Sequence, residues 1–355
     1  MNKIKFLKTI DSIIGRGFAG LLPVSSEKTA GAATSPSRAL IIRPGGIGDA
    51  VLLIPMIEEL KKAYPGLKTD ILCEKRNAGV FSIYTGMNRV YLYDKISDLI
   101  ECFKNSYNII IDTEQWHRLP AALAYFIGAD IKAGFSTNER EKFFTHKVAY
   151  SHENYEAESF LTLLAAITGK SYEFPVNSPF LDAPEHPESH KLGNYICIFP
   201  GASVKERRWG GTNYGLTAKA LTEMGFNAVI LGGTAETEDA GIILRHCPQA
   251  ANYCGTTTLR ESAMLLKGAK ALITADSGLL HVAVALNIPT VSLFGSGIEK
   301  KWGPKGKNHT IINKNLPCSP CTKFGYTPSC KYNQTCIRQI TVDEVLINCR
   351  KVYLS

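Results

Sequence analysis

The sequence predicts an α/β protein built from two doubly wound parallel-sheet domains. Its 355 residues are enough for about two domains, and with 45% hydrophobic residues the chain can fill two cores. Short apolar segments alternate with helical patterns along most of the chain, which favours parallel strands joined by helices. In addition, the C-terminal half contains a complete strand–turn–helix–strand unit.

That unit has four parts. Residues 271–275 form an apolar run of strand length, residues 276–278 form a turn, residues 279–286 repeat apolar side chains at helical spacing, and residues 288–294 form a second buried strand. A hydroxyl, a glycine and backbone N–H groups at a helix N-terminus suit a phosphate. On local grounds alone, Ser277 acting as a simple helix cap is an equally good interpretation.

The first domain begins with a strand at 39–43, a glycine-rich turn and a helix to about residue 63. Further strands are predicted at 69–73, 89–93 and 107–112. The glycine-rich turn does not predict a nicotinamide cofactor, because Val51 stands where the dinucleotide fingerprint requires its third glycine. Asp49 lies at the start of the helix, either as a simple N-terminal acid or as a functional carboxylate.

The middle of the chain alternates less regularly. Residues 113–190 are expected to contain a positively charged helical insertion and, after it, a proline-bearing crossing segment at 175–187. The predicted organisation is an N-terminal helix and linker at 1–37, a first domain at 38–185 and a second at 186–355.

The second domain repeats the pattern of the first. Strands are predicted at 195–199 and 228–231, with helices at 213–224 and 259–266. In doubly wound sheets ligands bind at the carboxyl ends of the strands. We therefore expect one cleft between the domains, faced by loops that carry Asp49, Ser203, Glu236 and Asp276.

Residues 2–22 predict a basic amphipathic helix. Its apolar face holds Leu7, Ile10, Ile14, Phe18 and Leu21. Charged residues interrupt the segment too often for it to form a membrane-spanning helix. Three interpretations stay open: a helix lying in the membrane interface, a helix docked on its own protein, and a signal peptide cleaved near 30–32. Residues 24–37 read as a flexible linker.

The charge balance favours an anionic partner. The formal net charge is +8 and the isoelectric point is about 8.9, but no dense basic run indicates nucleic acid. A phosphorylated substrate or an anionic membrane surface would satisfy this balance.

Four motifs stand in order along the chain. They are residues 40–49, residues 200–203 with Arg207-Arg208-Trp209, residues 231–233 with Glu236, and residues 276–281. Together they resemble the family 9 glycosyltransferases, the ADP-heptose:lipopolysaccharide heptosyltransferases, over about residues 38–348. The resemblance implies the GT-B fold and inverting transfer of a heptose from ADP-heptose to the lipopolysaccharide inner core, with no cofactor and no catalytic metal.

The resemblance also implies residue roles. Asp49 would be the general base that deprotonates the acceptor hydroxyl, and Arg208, at a place where the family often has lysine, would neutralise the departing diphosphate. Glu236 would bind the adenosine ribose.

The remaining implied residues contact the donor. Ser277, where the family more often has threonine, and Gly278 would bind the diphosphate, and Asp276 would orient the turn or the sugar. Ser203 would also lie in the donor site. His281, three residues beyond Gly278, would reach the same phosphates or serve as a core residue of the helix.

The implied partners are an ADP-sugar donor, a lipid A-core acceptor and an anionic membrane surface. The implied location is the cytoplasm, on the inner face of the inner membrane, as a monomer. Other classes stay open: a GT-B-fold sugar-nucleotide epimerase, a family 9 transferase that uses another sugar, and a non-catalytic binding protein.

Four cysteines cluster near the C-terminus with the spacing C-x2-C-x8-C-x5-C: Cys318, Cys321, Cys330 and Cys336. Four thiolates in a short loop are compatible with a structural zinc ion. Free or redox-active thiols and disulfides are the alternatives, and the sequence leaves all three open.

Overall fold

The computed structural model describes residues 11, 17, 23–25, 35–323 and 326–354. The chain divides into two compact units, Met1–Phe174 and Pro175–Ser355. The apolar face predicted for residues 2–22 lies outside the described residues. Within the described part of the chain, no helix is long and apolar enough to cross a bilayer.

The first unit is a six-stranded, fully parallel sheet in the order β3-β2-β1-β4-β5-β6. Its strands are β1 (Arg38–Arg43), β2 (Lys68–Cys73), β3 (Arg89–Leu92), β4 (Ile109–Asp112), β5 (Ile131–Phe135) and β6 (His146–Val148). Its helices are α1 (Ile47–Leu52), α2 (Ile54–Ala63), α3 (Val80–Ile83), α4 (Ile96–Lys104), α5 (Arg118–Ile127) and α6 (Glu156–Thr168), with a 3₁₀ helix at Glu139–Phe143.

The central strands are apolar on both faces, because helices cover the sheet on both sides. Ile41 of β1 lies in register with Ile71 of β2 and Ile111 of β4, and all three are buried. Continuous apolar runs of this kind are the pattern that predicts buried parallel strands.

The expectation of a helical insertion after residue 113 is wrong. The chain adds two more parallel strands, β5 and β6, and so extends the sheet to its edge. Both strands are short, with Lys132, Gly134 and Lys147 among their residues. An edge strand of three residues with polar side chains carries too little periodicity to be recognised.

Two described positions of the N-terminal segment contact the α/β part of the first unit. The Asp11 carboxylate accepts hydrogen bonds from the backbone N–H groups of Arg118 and Leu119, both at 2.8 Å. Asp11 therefore caps the N-terminus of α5 although it lies outside that helix. The Ser25 backbone N–H donates to the Lys142 carbonyl at 2.8 Å.

The second unit repeats the architecture, with the parallel order β12-β11-β10-β7-β8-β9. Its strands are β7 (Tyr195–Phe199), β8 (Asn227–Ile230), β9 (Ala251–Asn252), β10 (Leu272–Ala275), β11 (Thr290–Phe294) and β12 (His309–Asn313). Its helices are α7 (Ser189–Leu192), α8 (Gly211–Glu223), α9 (Thr237–His246), α10 (Leu259–Lys267), α11 (Gly278–Ala285), α12 (Glu299–Trp302), α13 (Thr335–Arg338) and α14 (Val342–Leu354), with 3₁₀ helices at Lys205–Arg207 and Thr234–Glu236.

The strand–turn–helix–strand unit predicted at 271–294 is present as β10, α11 and β11. Its last strand begins at Thr290, two residues later than expected. Asn287 adopts a left-handed conformation, with φ of 57°, which ends the helix. Pro289 then precedes the strand, since it has no N–H to donate to the neighbouring strand.

The strand order fixes where a ligand site forms. In each sheet the chain reverses direction across the sheet at one point, between β1 and β4 in the first unit and between β7 and β10 in the second. Loops that leave adjacent strands on opposite faces separate there and leave a crevice at the carboxyl edge.

Candidate functional site

The turn after β10 presents a capped helix N-terminus. The Ser277 hydroxyl accepts a hydrogen bond from the Leu280 backbone N–H at 3.3 Å and lies 3.1 Å from the Thr274 hydroxyl. Ser277 therefore caps α11, while contact of its hydroxyl with a diphosphate stays a prediction. Gly278 is the first residue of α11, so the free N–H groups of the helix begin at this turn.

Arg207 reaches this turn from the loop after β7. Its guanidinium Nη1 lies 2.8 Å from Asp276 Oδ2, and its Nη2 lies 3.5 Å from the Thr322 hydroxyl. Its buried Nε has no hydrogen-bond partner among the residues that the structure describes. The Arg207–Asp276 pair thus spans the crevice between β7 and β10 and places a cation beside the N-terminus of α11.

Gly297, in the loop after β11, is required by this pair. A side chain at that position would overlap the Asp276 carboxylate. The backbone of the loop therefore packs directly against Asp276 and limits where its carboxylate can lie.

Arg208 points to a different part of the site. Its Nη2 lies 4.0 Å from Glu236 Oε1, and its Nη1 lies 3.6 Å from Asp239 Oδ2. Arg208 is the arginine predicted from the sequence, because it precedes Trp209, whereas the ion pair of Arg207 was not predicted. The adjacent arginine pair was the available signal, but only the fold shows which of the two contacts the Asp276 turn.

Glu236 is buried between two loops. Its Oε2 accepts a hydrogen bond from the Gly233 backbone N–H at 2.9 Å. A β-carbon at Gly201, after β7, would lie 2.5 Å from Glu236 Oε1, and one at Gly232 would lie 2.8 Å from its Cβ. The glycines in both loops therefore make the space that the Glu236 side chain occupies.

The two remaining donor-site candidates differ in exposure. His281 lies within α11 and is 3% exposed, three residues after Gly278. Ser203 is exposed in the loop after β7. The structure thus brings Asp276, Ser277 and Gly278 together with Arg207 at one edge of the second sheet, and Glu236 with Arg208 beside them.

In the first unit, Asp49 lies in the first turn of α1. The guanidinium of Arg43, the last residue of β1, approaches the Asp49 carboxylate at 3.5 Å and donates to the Thr113 carbonyl at 2.7 Å. Burial opposes a charge on Arg43, but the carboxylates of Asp49 and Glu114 outweigh it and raise the pKa of its guanidinium.

Further buried charges lie at the end of β4 and in the loop that follows it. The Asp112 carboxylate pairs with Arg140, and both side chains are fully buried. Burial raises the pKa of Asp112 to about 6, against the opposing effect of Arg140. Glu114 accepts hydrogen bonds from the Trp116 and His117 backbone N–H groups, at 3.0 and 3.3 Å, so the loop after β4 is held firmly.

The clustered cysteines are free thiols. Cys336 is buried, and Cys318, Cys321 and Cys330 are half-buried. Among the described His, Cys, Asp and Glu residues, no group of three or more is arranged to hold a metal ion.

A sequence model of glycosyltransferase family 9 (heptosyltransferase) matches residues 99–330. The chain belongs to glycosyltransferase family 9. This family 9 glycosyltransferase is 27% identical to lipopolysaccharide heptosyltransferase 3 of Escherichia coli over 289 residues, covering 74% of this chain and 84% of that protein. It is 23% identical to lipopolysaccharide heptosyltransferase 1 of Pseudomonas aeruginosa over 320 residues, covering 84% and 88% of the two chains.

Solved structures agree with the fold of this glycosyltransferase. E. coli ADP-heptose lipopolysaccharide heptosyltransferase II matches with a TM-score of 0.73 at 22% identity, over 89% of this chain and 98% of that one. E. coli heptosyltransferase WaaC with ADP-2-deoxy-2-fluoro heptose matches with a TM-score of 0.69 at 18% identity, over 88% and 99%. The predicted GT-B class, with two Rossmann-like parallel sheets, and the predicted glycosyltransferase family are confirmed.

Proposed function

We propose that this enzyme transfers a heptose from ADP-heptose to the inner core of lipopolysaccharide, with inversion at the sugar carbon. The observation that carries the proposal is the meeting of the Arg207 guanidinium with the N-terminus of α11 at the Asp276 turn. A cation and free backbone N–H groups at one point suit a diphosphate. The heptosyltransferase names of the relatives support the choice of donor and acceptor.

The second unit is the donor domain in this proposal. Arg207 and the N–H groups of α11 stabilise the negative charge that develops on the departing ADP, and the Ser277 hydroxyl contributes a further donor. Glu236, with Arg208 beside it, binds the adenosine ribose. His281 supports the diphosphate from within α11. These groups supply the charge stabilisation, so we propose that transfer needs no cofactor.

The first unit is the acceptor domain in this proposal. Asp49 removes the proton from the attacking hydroxyl of the lipid A-core acceptor. One carboxylate is enough for a single inverting displacement, unlike the carboxylate pair of most glycoside hydrolases. Asp49 suits this role because its side chain is 24% exposed and so open to a substrate hydroxyl.

The test is release of ADP from ADP-heptose by full-length protein, with and without a lipid A-core acceptor that lacks heptose, in the presence of EDTA. We expect ADP only with the acceptor, and no turnover with UDP- or ADP-glucose. For Asp49→Asn we expect ADP to bind as in the wild type and turnover to fall by about 10²-fold or more. A changed sugar nucleotide without acceptor would identify an epimerase instead, and normal turnover of Asp49→Asn would remove Asp49 as the base.

We also propose that the enzyme works on the cytoplasmic face of the inner membrane, because its acceptor is a lipid and its donor is a solute. We propose that it does so as a monomer. The positive net charge of +8 supports attraction to anionic lipid. Flotation with anionic vesicles tests this, by comparing full-length protein with a chain that begins at Ser37. We expect salt-sensitive binding that the shorter chain loses. Equal binding would assign the membrane contact to the folded units.

For the cysteine cluster, we propose that the four thiols stay reduced, with a structural zinc ion as the alternative. The support is that the structure has all four as free cysteines. Metal analysis of untagged protein purified under reducing conditions, together with thiol titration, tests this. About one zinc per chain would restore the structural-zinc alternative.

A further inference from the structure

We propose that Arg43 is a positioning residue for the reaction: its buried guanidinium holds the Asp49 carboxylate in the orientation that proton transfer requires. This inference rests on the proposed role of Asp49 as general base. Arg43 acts through Asp49 and need not touch either substrate.

Arg43 is buried at the carboxyl end of β1. It is the last residue of β1, it is 2% exposed, and its Nη1 donates to the carbonyl of Thr113 at 2.7 Å. Thr113 follows β4, so this bond crosses the point where the strand order reverses. Arg43 therefore fixes the two loops that flank the crevice relative to each other.

The turn between Arg43 and Asp49 packs closely against both side chains. Gly45 has a φ of 123°, and a β-carbon there would lie 2.9 Å from Arg43 Nη2. A β-carbon at Gly46 would lie 3.6 Å from Asp49 Oδ2. The backbone of the turn thus folds closely over the guanidinium, which leaves Arg43 Nη2 facing the carboxylate at 3.5 Å.

The Arg43 guanidinium is also restrained by its surroundings. Its Cζ lies over the Phe160 ring of α6, 5.5 Å from the ring centroid. Buried carboxylates at Glu114 and Glu156 add favourable interactions with its charge. A guanidinium keeps its proton at any working pH, so Arg43 can orient the base without competing for the proton.

A purely structural role for Arg43 makes a different prediction from a positioning role. If Arg43 only neutralised buried carboxylates, its loss would lower stability and would affect turnover equally whether or not Asp49 is present. If it acts through Asp49, its loss matters only while the carboxylate is there, because effects of coupled residues are not additive.

The experiment is a double-mutant cycle with Arg43→Met and Asp49→Asn, measured as kcat and donor KM in the ADP-release assay. Arg38→Met is the matched control. Arg38 begins the same strand, at the end away from Arg43, and forms an ion pair with Asp70 at 2.7 Å. We expect Arg43→Met to lower kcat about 10-fold with little change in KM. In the Asp49→Asn background the same change is expected to alter kcat less than about twofold.

Arg43→Lys keeps the charge but not the fork, so we expect an intermediate kcat, and this variant carries the test if Arg43→Met does not fold. Arg38→Met is expected to lower the melting temperature and leave kcat unchanged. An unchanged kcat in Arg43→Met or in Arg43→Lys, or the same loss with and without Asp49, would overturn the positioning role alone. Full turnover in Asp49→Asn would overturn both the base and this inference.

Discussion

Replacing Gly201 by alanine is the sharpest test of the nucleotide site, because the glycine touches no ligand in the proposal. The new β-carbon would lie 2.5 Å from Glu236 Oε1 and 2.7 Å from its Cδ. Carbon atoms in ordinary contact stand about 3.5–4.0 Å apart, so the carboxylate has to move by about 1 Å. That displacement breaks the 2.9 Å hydrogen bond from the Gly233 backbone N–H.

The magnitude follows from the proposed ribose contact, which the displaced Glu236 carboxylate would no longer make. A hydrogen bond to a charged group contributes about 1.5–3 kcal/mol, and 1.4 kcal/mol corresponds to a tenfold change in affinity. We therefore expect Gly201→Ala to weaken ADP binding about 10-fold or more, close to the effect of Glu236→Ala. Titration calorimetry with ADP measures the affinity, and thermal unfolding shows whether the variant is folded.

Gly241→Ala is the matched control. Gly241 lies inside α9, and a β-carbon there meets nothing within 4 Å. This substitution is expected to leave ADP affinity unchanged and to stabilise the fold by about 0.5–1 kcal/mol. Wild-type ADP affinity in Gly201→Ala, with a clear loss in Glu236→Ala, would refute the packing argument. Wild-type affinity in both would show that Glu236 does not bind the nucleotide.

Two further predictions use the ion pairs and the helix cap. Arg207→Ala is expected to weaken ADP binding about 10- to 100-fold, and Arg208→Ala to weaken it less, because Arg207 adjoins the helix N-terminus. Calorimetry measures both affinities, and the reverse order would return the diphosphate role to Arg208. Asp11→Ala is expected to lower the free energy of unfolding by about 1 kcal/mol at pH 7, through loss of the α5 cap. Burial opposes ionisation of Asp11, but hydrogen bonds from His117 and the Leu119 backbone hold its pKa below the usual value of an aspartate. The stabilisation is therefore fully present above that usual pKa and is lost as the pH falls through the lowered one. Equal thermal unfolding of variant and wild type at pH 7 would exclude the cap.

The sequence was most informative where one local pattern decides the structure. The turn and helix after β10 were predicted from apolar periodicity and a capping serine, and both are present. The first strand and its turn were predicted from an apolar run followed by closely spaced glycines, and both are present. These elements are specified by neighbours in sequence, so a single chain is enough to recognise them.

The rest depends on residues that are distant in sequence. Arg207 and Asp276 are 69 positions apart, by subtraction of their numbers, and they meet only because β7 and β10 are adjacent in the sheet. Arg43 reaches Thr113 for the same reason, through β1 and β4. A periodicity argument cannot reveal strand order, so the arginine at the turn and the buried partner of Asp49 had to come from the fold.

The Arg207–Asp276 ion pair has a consequence for how fast the enzyme lets go of its product. A diphosphate that binds Arg207 in the proposed donor site has to share the guanidinium with Asp276, held 2.8 Å away. Loosening this contact offsets part of the binding free energy of ADP, which weakens product affinity and shortens the time that ADP stays bound. When ADP departs, the carboxylate is already in place to take its position as counter-ion. The Asp276 carboxylate would in this way speed the return to a vacant site, and it would raise turnover if product release is the rate-limiting step.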